Sequence, residues 1–226
     1  MQPKLSEFEY IAFDMDGTLI DSMELNYQCW RSVLDEVGVS LQKDLYFQRE
    51  GEKISSIIKD ILDTHCTESN PAFIEDLIVK KDNLFIELYQ FNPYPFVMEV
   101  VDILKENSVI LGIVTSGRLS RVQRTLPQSF LNNFDVIISG EDSDRGKPFP
   151  DPYLRFMHVI NSSKTNTLVL ENAPLGIKSA KSAGFYCVGI ASTVDRDLLK
   201  EADLVFENIG EFYERIRNEK SSNHYW

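Results

Sequence analysis

Four short groups of residues in this chain have the types and spacing to handle a phosphoryl group. The first is Asp14-Met15-Asp16-Gly17-Thr18, directly after the apolar run Tyr10-Ile11-Ala12-Phe13. Side chains of extended backbone repeat every second residue, so Asp14 and Asp16 leave the end of a strand on one side. Gly17 lets the backbone turn sharply, and Thr18 adds a hydroxyl. Such a pair can divide labour: one carboxylate attacks phosphorus while its neighbour moves protons. Standing alone, the same residues read as an acidic turn. A calcium loop is excluded, because Leu19 stands where such a loop requires glycine.

The second group is Thr115-Ser116-Gly117-Arg118. The Thr115 hydroxyl and the backbone N–H groups around Ser116 and Gly117 can hold phosphate oxygens at a helix start. A simple helix N-cap asks for the same hydroxyl. The third is Gly146-Lys147-Pro148, in a stretch whose prolines fix the direction of the Lys147 ammonium. A fixed cation offsets charge on a nucleophilic carboxylate and on a transferring phosphoryl group. A nucleotide P-loop is excluded there, since the spacing from Gly140 to Gly146 is wrong and Lys147 precedes proline. The fourth is Glu171-Asn172-Ala173-Pro174, whose oxygen-rich side chains can join Asp14 around magnesium, a hard ion. Its plain structural reading is an Asx turn before a capped helix.

These groups need elements to bring them together. Short apolar runs at 11–14, 109–115, 136–139, 168–171, 186–191 and 204–206 each end in polar residues. Their hydrophobicity is continuous rather than alternating, which predicts strands covered on both faces, as in a parallel sheet between helices. Right-handed crossovers would bring the strand C-termini, and with them all four groups, to one edge. Residues 23–91 break this rhythm with helical patterns near 23–37, 53–64 and 72–90. Their apolar stripes (Leu25, Trp30, Val33, Leu34, Val37; Ile54, Ile57, Ile58, Ile61, Leu62) predict a core of their own. Asn92-Pro93-Tyr94-Pro95 marks the return to the sheet pattern. The expected organisation is a core of residues 1–21 and 92–226, with an all-helical cap of 22–91 placed as a lid over the active edge. Residues 221–226 lack periodicity.

Composition bounds the partners. The chain has 226 residues, 43% hydrophobic and 26% charged, with a net charge of −12. That acidity argues against a nucleic-acid backbone as partner, and the longest aliphatic run, 109–114, is too short to cross a membrane. A small phosphorylated substrate remains compatible, because salt screens a distant negative field over roughly 10 Å. Three widely spaced cysteines and no charged-then-apolar leader suggest a reduced, cytoplasmic protein. A monomer and a small homo-oligomer are both open.

Taken in order, Asp14-x-Asp16-Gly17-Thr18, Thr115-Ser116-Gly117, Gly146-Lys147-Pro148 and Glu171-Asn172 resemble the motifs of the haloacid dehalogenase superfamily. The helical insertion after the first motif resembles its helical-cap branch, which includes β-phosphoglucomutase and many small-metabolite phosphatases. The resemblance implies a Rossmann-like α/β fold and an aspartyl-phosphate formed on Asp14. Asp16 would protonate the leaving oxygen and then deprotonate the attacking water. Magnesium would be held by the Asp14 carboxylate, the Asp16 main-chain carbonyl, and Glu171 and/or Asn172. Thr115 and Lys147, with Gly17, Ser116 and Gly117, would bind phosphoryl oxygens.

Where this chain has Asn172, many relatives carry aspartate, so one negative charge is gone; weaker metal binding with activity intact is the expectation. Known β-phosphoglucomutases have histidine where this chain has Asn26. They also have arginine in the cap stretch matching roughly 52–55, where the nearest cation here is Lys53. Lys80 or Lys81 would fill the place of a further cap lysine. Two of three mutase features are absent, which favours hydrolysis of a sugar or polyol phosphate over sugar phosphate mutation. Asn26, Arg49, Lys53 and Lys80 are the candidate specificity residues of the cap, from which Arg49, Glu50, Glu52 and Lys53 are expected to face the active edge. A metal-binding protein without catalysis is the different-class alternative; its signature, loss of Asp14 or Asp16, is missing.

Overall fold

The continuous apolar runs become strands of one sheet in the computed structural model, which describes residues 3–221. They are β1 (Tyr10–Phe13), β2 (Ile110–Val114), β3 (Val136–Ile138), β4 (Thr167–Glu171), β5 (Tyr186–Ile190) and β6 (Leu204–Phe206). The sheet order is β3-β2-β1-β4-β5-β6, and every pairing is parallel. Between β1 and β2 the chain forms α1 (Met23–Asp35), α2 (Lys43–Gln48), α3 (Ile54–Thr64), α4 (Pro71–Leu88) and then α5 (Val97–Glu106). Beyond β2 come α6 (Leu119–Thr125), α7 (Gln128–Leu131), α8 (Asp151–Val159), α9 (Pro174–Ala183) and α10 (Ile209–Ser221). The aperiodic end read at 221–226 lies, from residue 222 on, outside the described residues.

Period-two alternation sorts the strand side chains between two apolar layers. Ile11, Phe13, Leu111, Ile113, Leu168 and Leu170 pack with Val100 of α5 and Phe212 of α10. Ala12, Val114, Val169 and Cys187 face the other way, against Phe156 of α8 and Ile177 of α9. Both faces are therefore covered, which is why the runs read as continuous hydrophobicity.

The sheet order turns at β1. The chain moves outward through β2 and β3, then crosses back to β4 on the other side of β1. A crevice opens beyond the strand ends at such a reversal. Asp14 and Thr115 lie one residue past their strands and are still tied to the sheet. The Asp14 N–H donates to the Leu170 carbonyl at 2.9 Å, and the Thr115 N–H to Ile138 at 2.9 Å.

Helices α1–α4 close around a separate apolar cluster that includes Trp30, Leu34, Ile58, Leu62, Ile74 and Ile78. Full burial of such side chains contributes roughly 1.5–3 kcal/mol each, enough for the helices to cohere away from the sheet. Asn70 starts α4 by accepting the Phe73 N–H at 2.9 Å, with Pro71 in the first turn. The six-residue α2 was not expected from the sequence, being too short to show a period. Two neighbouring segments join this unit to the sheet. The Asp21 N–H donates to Asn92 at 2.9 Å, and the Tyr94 N–H to Leu19 at 3.1 Å.

Candidate active site

Asp14 sits at the crevice with its Oδ1 2.5 Å from Lys147 Nζ. The same ammonium donates to Glu171 Oε1 at 2.5 Å and to the Val114 carbonyl at 3.2 Å. Tyr153 donates to Glu171 Oε1 at 2.7 Å, and Glu171 Oε2 accepts the Asn172 N–H at 3.1 Å. Two carboxylates thus share one buried cation, an unbalanced arrangement in a buried site. Burial pushes the Asp14 carboxyl above its ordinary range; Lys147 opposes the shift and Glu171 adds to it. Burial acts against the Lys147 ammonium, and Asp14 and Glu171 more than reverse that, holding it above the usual lysine range.

The excess charge and the donor chemistry fit a hard divalent cation. Among the described residues no three His, Cys, Asp or Glu side chains form a ready cage. Magnesium does not need one, since it is usually held by one or two carboxylates together with water and substrate phosphate.

Asp16 occupies different surroundings two residues on. Its Oδ1 accepts from Ser22 Oγ at 2.6 Å, from Asn26 Nδ2 at 3.2 Å and from Arg121 Nη1 at 3.1 Å. Arg121 Nη2 donates to Oδ2. Burial alone would raise the Asp16 carboxyl, but the Arg121 charge and the bonds from Arg121 and Ser22 outweigh it and hold it below the usual range. Gly17 follows at φ 89°, where a Cβ would lie 2.1 Å from Asn172 Nδ2; neither that backbone nor that space admits a side chain.

The remaining motif residues gather here with specific local partners. Thr115 is buried at the crevice, and its Oγ1 accepts the Gly117 N–H at 3.0 Å. The Ser116 hydroxyl donates to the Gly51 carbonyl at 2.6 Å and so joins the second motif to the helical unit. The Asn172 amide is engaged on both sides. Its Oδ1 accepts from Thr18 at 2.9 Å, while Nδ2 donates to Glu50 Oε1 at 2.5 Å and to Thr193 Oγ1 at 2.9 Å. Thr193 closes the ring by donating to Glu50 Oε2 at 3.0 Å.

Of the four candidate cap residues, only Asn26 and Arg49 reach the pocket. Arg49 lies at its wall with its guanidinium forked onto Glu52 and bonded to Asp60. Lys53 turns away, toward the Asp144 carbonyl at 3.3 Å. Lys80 is also displaced from the expected place: it stands on the outer face of α4, paired with Glu36. Lys81 takes that place, buried at 5% exposure, with Nζ 2.7 Å from Asn26 Oδ1. The reason is helix phase. Ile74, Leu77, Ile78, Lys81 and Phe85 share the buried stripe of α4, which leaves Lys80 to solvent. Burial, with Arg121 nearby, pulls the Lys81 ammonium down to about 8.

Sequence reasoning did not identify Arg121 as a site residue, and placed Glu50 only as facing the active edge. Glu50 is a buried carboxylate from the helical unit that touches the sheet side of the crevice, and burial pushes it up to about 8. Removing it strands two donors, Asn172 Nδ2 and Thr193 Oγ1. We expect Glu50→Ala to reduce kcat/KM about tenfold and to speed proteolysis at the segments near 21 and 92. Steady-state kinetics with limited proteolysis checks this, and wild-type values in both assays would contradict the role.

The raised carboxyls also set a pH dependence. Between pH 5 and 8 the folded protein retains protons on Asp14 and Glu50 that the unfolded chain, near its ordinary values of 3.8 and 4.5, has lost. Stability must then fall as pH rises through that window. Asp16, shifted downward, acts only below about pH 4, outside the window. We expect Tm to drop by at least roughly 3 °C from pH 5 to pH 8 without metal, and magnesium to flatten the slope by relieving Asp14. A Tm that is level with pH, or a slope indifferent to magnesium, would contradict this electrostatic picture.

Fold and site together define a class. A family model described as haloacid dehalogenase-like hydrolase matches residues 11–190, and the chain belongs to that family. Over 90% of its length it is 29% identical to validoxylamine A 7'-phosphate phosphatase of Streptomyces hygroscopicus, covering 95% of that protein. It is 30% identical to a phosphorylated carbohydrates phosphatase of Thermotoga maritima, with 78% of this chain and 82% of that one aligned. A solved structure of a putative β-phosphoglucomutase from Bacteroides vulgatus superposes with a TM-score of 0.83 at 26% identity, covering 95% of this chain and 90% of that one. No helix among the described residues is long and apolar enough to cross a membrane.

Proposed function

We propose that this chain is a cytoplasmic, magnesium-dependent phosphatase of small phosphorylated metabolites, sugar or polyol phosphates, working through an aspartyl-phosphate on Asp14. The observation that carries the reading is the opposed environments of the two aspartates. Asp14 faces the crevice beside a fixed ammonium, 2.5 Å away. Asp16 is held apart by Arg121, Ser22 and Asn26. The two carboxyls have different neighbours, which suits two roles, nucleophile and proton carrier; magnesium beside Asp14 would ionise its raised carboxyl, and the Asp16 carboxyl would rise on leaving Arg121.

In this reading an Asp14 oxygen attacks phosphorus, aided by Lys147, which binds a phosphoryl oxygen and limits charge build-up. Thr115 donates its hydroxyl to a second phosphoryl oxygen. Asp16 protonates the departing ester oxygen and later takes a proton from the water that attacks the phosphoenzyme. Magnesium, held by the Asp14 carboxylate, the Asp16 carbonyl and Glu171, would neutralise charge on the transferring group. Asn172 orients this loop through Thr18 and Glu50. Helices α1–α4 act as the cap: Gly51 and Glu50 meet the second and fourth motifs and exclude water from the phosphoenzyme.

Release to water is favoured over return to the sugar because Asn26, hydrogen-bonded between Asp16 and Lys81, has no group that can relay a proton. The test is phosphate release from a panel of small phosphate esters with magnesium. Release that depends on Asp14 supports the reading. Isomerised glucose 1-phosphate without release would make the protein a mutase.

A further inference from the structure

Arg121 is 3% exposed and places its guanidinium on both oxygens of Asp16. The surroundings are shaped to admit it. A Cβ on Gly117 would lie 2.5 Å from Arg121 Nη2, so a side chain there would push the guanidinium from its present place. The Phe85 ring stacks 5.1 Å from the guanidinium carbon. The same ring carries the Lys81 ammonium at 5.1 Å, a second buried cation next to the first, itself 3.3 Å from the Asp82 carboxylate. Two other cations line the pocket, Arg49 and Arg118, but they have carboxylate partners of their own in Glu52, Asp60 and Glu75. Arg121 has only the Asp16 carboxylate as an ion-pair partner among the described residues.

That partner cannot stay. On the reading proposed above, on which this inference rests, Asp16 must direct one oxygen at the departing ester oxygen, and both of its oxygens are held in the fork. Once it turns, a buried guanidinium is left without an anion, which is strongly unfavourable. A guanidinium fork fits carboxylate or phosphate in bidentate fashion. We propose that Arg121, with Lys81 beside it, is the subsite for a second anionic group of the substrate, a carboxylate or second phosphate near the ester oxygen, which replaces Asp16 in the fork. The preferred substrates are then phosphorylated sugar acids or sugar bisphosphates rather than neutral sugar phosphates. Binding of that anion releases Asp16 toward the reacting atoms.

Matched pairs test this, because their members differ in the added anion. They are 3-phosphoglycerate against glycerol 3-phosphate, and fructose 1,6-bisphosphate against fructose 6-phosphate. Dissociation constants are measured by calorimetry on Asp14→Asn protein with magnesium, and kcat/KM on wild type. The anionic member of each pair should bind about 10- to 100-fold tighter. Arg121→Gln should bring that ratio close to one, whatever it does to the neutral member's own constant. Arg121→Lys keeps the charge and loses the fork, so it should retain only part of the preference; it also decides the matter if Arg121→Gln does not fold. Equal binding within the pairs, or a preference unchanged in both variants, overturns the subsite. If neutral esters are hydrolysed while the pairs bind equally, the phosphatase reading stands and this inference fails. If nothing releases phosphate, that reading fails, and the binding ratios still decide the subsite.

Discussion

Replacing Asp14 by asparagine is expected to lower phosphate release by at least about four orders of magnitude while leaving the protein no less resistant to heat. An amide cannot form the acyl-phosphate bond, so the covalent route closes. The stability half of the expectation comes from the charge balance. Asp14 and Glu171 compete for one ammonium in a buried site, and burial already pushes Asp14 toward its neutral form. Asparagine keeps an oxygen to accept from Lys147 and removes the surplus charge. Activity assays with a thermal melt in metal-free buffer check both halves. Residual turnover within a hundredfold of wild type would remove Asp14 from the nucleophile's role, and a large fall in Tm would show that its charge is stabilising.

Lys147→Met should act in the opposite manner on stability. Lys147 is 2% exposed and bonds Asp14, Glu171 and the Val114 carbonyl. Without it two carboxylates face each other in the crevice, and breaking a buried ion pair from one side costs about 3–5 kcal/mol. The expected fall in Tm is on the order of 10 °C, together with loss of activity. Adding Glu171→Gln removes one stranded charge, so the double variant should recover part of the stability and none of the activity. A cycle of four melts measures this coupling. Additive effects would mean that the three groups do not behave as one unit.

Much of the arrangement was legible in the chain. The strand runs were continuous because both sheet faces are covered, and each polar group ended a run, so one edge had to receive Asp14, Thr115 and Glu171 together. Trp30, Leu34, Ile58 and Leu62 identified the core of the helical unit by their period. Other features were hidden for physical reasons. Helix α2 spans six residues, less than two turns, so no stripe could appear. Lys81 was separable from Lys80, but only by following the phase of Ile74, Leu77 and Ile78 through the helix. Glu50 reads as one charge among Arg49, Glu52 and Lys53; its importance comes from approaching Asn172 across the crevice, 122 positions away in sequence. Arg121 is similar: its only local signal was Gly117, whose missing side chain makes sense once the guanidinium is seen lying across it. The engagement of Asn172 by Thr18, Glu50 and Thr193 likewise depends on three distant segments meeting.

A phosphoryl group bound covalently to Asp14 is the centre of the proposed mechanism. The most direct measurement is to quench a reacting mixture in acid within the first turnover, reduce with borohydride and identify the modified peptide by mass spectrometry. Homoserine is expected at position 14, absent without substrate and absent in Asp14→Asn. An unmodified Asp14 in samples that released phosphate during the same interval, or reduction at another carboxylate, would contradict it.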